Sequence, residues 1–94
     1  MVQTDVKSAH TNTSAALVTY RTRLKHITFN SNGTAGSLIL YDNASAASGT
    51  ILWQFDFGAN VVSVPVLLPG EGILAVNGIY ATLTNANSCT ICYG

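Results

Sequence analysis

Near its end the sequence reads Cys89-Thr90-Ile91-Cys92, the spacing of a redox dithiol or of half a zinc site. A redox pair of this kind needs a helix N-terminus to lower the thiol pKa. Here the cysteines sit in a β-branched stretch. On a strand, residues three apart face opposite sides and lie about 10 Å from each other. That separation is beyond the reach of a disulfide. Zinc asks for four ligands, and no second cysteine pair exists. Two small packed side chains, or an intermolecular contact, are the readings left.

The remaining inventory is equally thin. His10 and His26 lie sixteen residues apart and form no HxH or HExxH pattern. Gly70-Glu71-Gly72-Ile73-Leu74-Ala75 matches the letters of a dinucleotide fingerprint. That fingerprint works only where a helix N-terminus offers free amides to the pyrophosphate. The Asn77-Gly78 pair that follows leaves no room for a helix, so a tight turn is expected. Ser37 and Ser63 lack the surroundings of a nucleophile elbow. The four acids, Asp5, Asp42, Asp56 and Glu71, offer carboxylates but no recognisable catalytic pairing. No catalytic residue, metal site or cofactor is expected. Asn12-Thr13-Ser14, Asn32-Gly33-Thr34 and Asn43-Ala44-Ser45 spell glycosylation acceptors, and we read them as turn chemistry.

One cluster stands out. Arg21, Arg23 and Lys25 alternate, so a regular strand would put them on one face. Such a strip meets phosphates or an acidic protein surface. Nucleic-acid grooves interleave aromatic residues with the cations, and only Tyr20 and Phe29 lie near, so nucleic acid is not the expected partner. The strip and the residues before it give the candidate interface: Val2, Val6, Lys7, Arg21, Arg23 and Lys25.

Composition points the same way. Charged residues are 9% of the chain and apolar residues 48%, against about 25% charged in an average soluble domain. Thr, Ser and Asn must supply the polar surface, at a lower desolvation cost than full charges. A sparsely charged exterior suits a chain whose surface is covered by partners. The charges are also segregated. Residues 1–26 hold all four cations against Asp5, and residues 27–94 hold only Asp42, Asp56 and Glu71. A dipolar layout of this kind suits a subunit whose basic N-terminal part meets an acidic neighbour. No run is long and apolar enough for a membrane helix, and the start carries no signal-peptide core. Synthesis in a cytoplasm is therefore expected.

The elements that position these groups read as strands. With 94 residues the chain suits one domain. Residues 1–14 are polar, with Val2, Val6 and Ala9 as weak anchors, and read as an arm or an edge strand. Residues 15–94 form the domain itself. Turn signals there recur every eight to twelve residues among β-branched and aromatic ones. Leu17–Phe29 reads as one bent strand or two, Ser31-Asn32-Gly33 as a turn, and Ser37–Asp42 as a strand before the loop Asn43–Gly49. In Thr50–Phe57, Ile51, Trp53, Phe55 and Phe57 share a face opposite Gln54 and Asp56, which makes Trp53 a core residue. Val61–Leu68 contains Pro65 and so belongs at an edge or a bulge. Ile73–Val76 and Ile79–Thr84 read as a hairpin about Asn77-Gly78. A last strand covers Cys89–Tyr93. The fold class is all-β: an antiparallel β-sandwich or jelly roll of seven to nine short strands.

The runs Arg21-Thr-Arg-Leu-Lys-His-Ile27 and Gly33-Thr-Ala-Gly-Ser-Leu-Ile-Leu-Tyr-Asp42 resemble small structural proteins of tailed bacteriophages, especially marine ones. So do Pro69-Gly-Glu-Gly-Ile-Leu74, Asn77-Gly-Ile-Tyr80 and Ile91-Cys-Tyr-Gly94. The similarity covers residues 15–94, and its motifs are turn glycines and strand apolars, which specify a fold better than a task. It implies a virion component made in the host cytoplasm. A decoration or cement protein on the capsid surface is the first expectation, packed against the major capsid protein or other virion proteins. The resemblance favours a homo-oligomer, with a trimer first. A tail or fibre module that contacts host glycans through Trp53, Tyr41 or Tyr80 is the alternative.

Overall fold

A computed structural model describes residues 6–60, 63–68, 70 and 72–94. Among them nine strands form: β1 Lys7–Thr11, β2 Ala15–Val18, β3 Thr22–Ser31, β4 Gly36–Tyr41, β5 Ile51–Phe57, β6 Ser63–Leu67, β7 Ile73–Ala75, β8 Ile79–Thr84 and β9 Ala86–Tyr93. They make two antiparallel sheets. Sheet A has the order β1-β9-β3-β6, with β7 also on β3, and sheet B has the order β2-β8-β4-β5.

The order has a simple origin. Strands β1, β2, β3 and β4 pair in turn with β9, β8, β6 and β5. The chain is thus one long double ribbon doubled back at the β4–β5 turn. Successive rungs of the ribbon fall in alternate sheets, and the pairs β3–β9 and β4–β8 join the rungs within each sheet. This is the arrangement of a jelly roll, with β7 as an added short strand. Right-handed strand twist makes such a ribbon wrap rather than lie flat.

The core fills the space between the sheets. Leu24, Ile27 and Phe29 of β3 and Cys89 and Ile91 of β9 meet Leu38 and Leu40 of β4 and Ile79 and Ala81 of β8, all buried. Phe29 is the centre of a ring cluster. Its centroid lies 5.3 Å from Phe57, 5.7 Å from Phe55 and 6.5 Å from Trp53. Trp53 and Phe55 stack at 5.8 Å with their planes 6° apart. Both are half-buried beside the core, so the face expected for β5 holds for Trp53, Phe55 and Phe57, with Trp53 short of full burial. Ile51 is a correction: the register shift between Leu40 and Tyr41 takes it out of that row and leaves it exposed.

Several local expectations resolve here. Leu17–Phe29 is two strands, β2 and β3, in different sheets. Pro65 lies on β6, an edge strand of sheet A, opposite Thr28. Residues 7–11 take the edge-strand reading of the N-terminal segment, paired with β9 over all five positions. Val2 lies outside the described residues.

The hairpin expected at Asn77-Gly78 is a correction: β7 joins sheet A and β8 joins sheet B. Local turn chemistry fits a hairpin, but tertiary anchors decide. The Asp42 carboxylate accepts hydrogen bonds from the Asn77 N–H at 2.8 Å and the Val76 N–H at 3.2 Å. Gly78, at φ 150°, lies so close to Val18 that a Cβ would collide with the Val18 carbonyl oxygen. Ser31-Asn32-Gly33 likewise leads from sheet A to sheet B and closes no hairpin.

Candidate functional site

The two cysteines part as strand alternation requires. Cys89 points inward and is fully buried, while Cys92 is half-buried on the outer face of sheet A, opposite His26. Burial pushes the Cys89 thiol up to about 12 from its usual 9.0, so it stays neutral and unreactive at physiological pH. His10 is held by hydroxyl and amide partners. Its Nδ1 lies 2.7 Å from Thr90 Oγ1 and its Nε2 2.8 Å from Asn12 Oδ1. Among the described residues no group of three His, Cys, Asp or Glu side chains is close enough to hold a metal.

The sequons and the glycine run act as turns. Asn32 Oδ1 accepts the Thr34 N–H at 3.0 Å, and Asn43 Oδ1 accepts the N–H groups of Ser45 and Ala46 at 2.8 and 3.0 Å. Gly70 and Gly72 have φ of 62° and 87°, and strand β7 follows where a dinucleotide site needs a helix.

What is left is surface, and it sorts by layer. On sheet A the outward rows are Ser8–Cys92–His26–Leu67, His10–Thr90–Thr28–Pro65 and Ser88–Asn30–Ser63. This face is largely hydroxyl and amide, and Asn30 Nδ2 donates to Ser88 Oγ at 3.3 Å. Pro65 and Leu67 are its exposed apolar members, Leu67 82% exposed. On sheet B the outward rows are Ala16–Tyr80–Tyr41–Ile51, Thr82–Ile39–Gln54 and Thr84–Ser37–Asp56. Its centre holds Ile39 with Tyr41 directly opposite Tyr80, and Ile51 is exposed beside them. Thr82 Oγ1 is shielded from solvent without a hydrogen-bond partner, an unusual state for a hydroxyl.

The expected interface residues other than Val2 lie on or beside sheet A. Val6 is exposed just before β1, and Lys7 is exposed on β1. Arg21 is exposed in the bend before β3, and Arg23 and Lys25 are half-buried on β3. A bulge between Leu24 and His26 interrupts the alternation there. The three cations therefore share a region but not one regular row. Sheet B supplies the face that reading the basic residues overlooked. The signal was present in Ser37-Leu-Ile-Leu-Tyr41, where Leu38 and Leu40 are buried while Ile39 and Tyr41 face out. A strand apolar on both sides is one expected to be covered on both.

Charge follows the same division. All four cations lie on or next to sheet A strands, and Asp42 and Asp56 lie on or next to sheet B strands. No helix among the described residues is long and apolar enough to cross a membrane. Comparison with protein-family models, with curated proteins and with solved structures gives no match.

Proposed function

We propose that this chain is a structural subunit of a virion: a capsid decoration or cement protein that binds the major capsid protein and its own copies, without catalysis or cofactor. The observation that carries this reading is the outer face of sheet B. Its central strands present Ile39, Tyr41 and Tyr80 to the outside, with Asp56 as the charged member of its rows. Aromatic centres depleted of charge are the composition of protein interfaces. Jelly rolls recur in viral capsid domains, which supports the reading as an analogy of fold only. The phage-protein resemblance of residues 15–94 supports it as well, and with it a homo-oligomer, a trimer first.

Quantitative peptide counting on purified particles tests the proposal. Copies in the hundreds per particle are expected. A handful of copies moves the protein to the tail, and absence from washed particles overturns the reading.

A second reading is a tail or fibre module for host glycans. Tyr41 and Tyr80 favour it: they are opposite each other in register on the outer side of sheet B, and tyrosines combine an apolar ring with a hydroxyl that can meet a sugar. Jelly rolls also occur in lectins. Sugar-dependent change in tyrosine fluorescence, lost in Tyr80→Ala, would support this reading over the first.

A further inference from the structure

We infer that copies of this chain associate face to back, the outer face of sheet B on one copy seating on the outer face of sheet A of the next. The inference rests on the assembly reading above and specifies its contact.

Three observations lead to it. The first is the layering of charge. Sheet A and its flanks carry Lys7, Arg21, Arg23 and Lys25, while Asp56 stands exposed in an outward row of sheet B; the Asp42 carboxylate is taken up by the Val76 and Asn77 N–H groups and is no part of that face. Lys7 and Lys25 are engaged within the protein, so Arg21 and Arg23 are the cations we assign to the contact. Two A faces, or two B faces, would set like charges together, whereas A on B sets opposite charges together.

The second observation is chemical. The B face offers Ile39, Tyr41, Ile51 and Tyr80, and the A face offers Leu67 and Pro65 beside a field of hydroxyls. Tyrosines suit such a surface because the ring packs and the hydroxyl still finds a partner.

The third is size. Four strands about 4.8 Å apart and about 20 Å long give roughly 400 Å² of projected face. Stable interfaces bury about 800 Å² of accessible surface per partner. Surface relief and flanking loops narrow that gap without closing it. A single contact therefore falls at the weak, transient end. Repetition supplies what one contact lacks. The two outer faces of a sandwich point in opposite directions, so this contact does not close a three-fold ring by itself. It propagates as an open column.

Sedimentation of the purified chain with two surface variants tests the inference. One variant, Arg23→Glu with Leu67→Asp, spoils the A face. The other, Ile51→Lys with Asp56→Lys, spoils the B face. Circular dichroism and a cooperative melt establish that both remain folded. Wild type at several hundred micromolar should sediment well above the 9.9 kDa monomer, and less so in about 0.5 M than in about 0.05 M salt. Each folded variant alone should remain monomeric, and an equimolar mixture should associate again. Wild type that stays monomeric overturns the inference, as does a variant that still associates alone. A mixture of folded variants that stays apart overturns the face-to-back arrangement. Absence from virions with self-association intact would remove the virion reading and leave this contact standing.

Discussion

The carboxylate of Asp42, at the end of β4, accepts the backbone N–H of Asn77 at 2.8 Å, thirty-five positions along the chain. A second bond from Val76 N–H at 3.2 Å completes a clasp between the two sheets. It binds the ribbon's closed end to the corner where the chain leaves sheet A for sheet B.

Breaking that clasp should cost stability without changing the fold. Asp42→Ala removes charge-assisted bonds to two backbone donors, so a loss of about 1–3 kcal/mol is expected. Urea denaturation should show a lower midpoint at an unchanged slope. An unchanged midpoint would mean that water serves these amides equally well.

The corner glycine should be less forgiving. At Gly78 a side chain meets the Val18 carbonyl and, at 3.3 Å, Ala44 Cα, in a backbone region that L residues avoid. Gly78→Ala should cost more than about 2 kcal/mol. Gly33 also has positive φ, but nothing lies within 4 Å of its added Cβ, so Gly33→Ala should cost only about 1 kcal/mol. Thermal melts of the two variants should differ in that order.

Stability should fall in alkali through Cys89. Its thiol titrates at about 12 in the folded chain against the ordinary 9.0. Below 9 both states hold the proton and the group contributes no slope. Above 9 the unfolded chain releases it first, so stability declines as pH rises towards 12, by up to a few kcal/mol. Tyr93 acts in the same direction. Its phenol is raised chiefly by the hydrogen bond with Tyr20, then by burial and by the charge of Tyr20. Cys89→Ala should flatten part of the slope measured by denaturation between pH 8 and pH 11. In native protein at pH 8 a thiol reagent should label Cys92 and spare Cys89.

Removal of residues 1–14 should destabilise the domain. Strand β1 pairs with β9 from Lys7–Tyr93 to Thr11–Cys89. Its loss bares the backbone of β9, an open edge that invites aggregation. Loss of several ladder bonds, each worth roughly 0.5–1.5 kcal/mol net, should lower the melting temperature by many degrees. A truncated chain with unaltered melting and solubility would show that the strand is dispensable.

Period-two signals were readable wherever a strand had one polar side. Trp53, Phe55 and Phe57 announce the inner face of β5, and Pro65 announces an edge. Partner choice was not readable. Asn77-Gly78 has the chemistry of a hairpin and makes a corner, because Asp42 and Val18 grip it from distant parts of the chain. The basic strip was visible by letter, yet the bulge after Leu24 shifts its spacing, and bulges leave no simple mark in residue types. Ile39 and Tyr41 were hidden for another reason. Alternation cannot separate inside from outside when both sides are apolar.

The ribbon also sets when folding is possible. Strand β9 occupies the middle of sheet A, between β1 and β3, yet it follows every other strand in sequence. A ribosome adds roughly 5–20 residues per second, so β1 and β3 wait seconds for the neighbour that joins them. Until it is made, sheet A has no centre, and the edges of β1 and β3 stand open to strands of other chains.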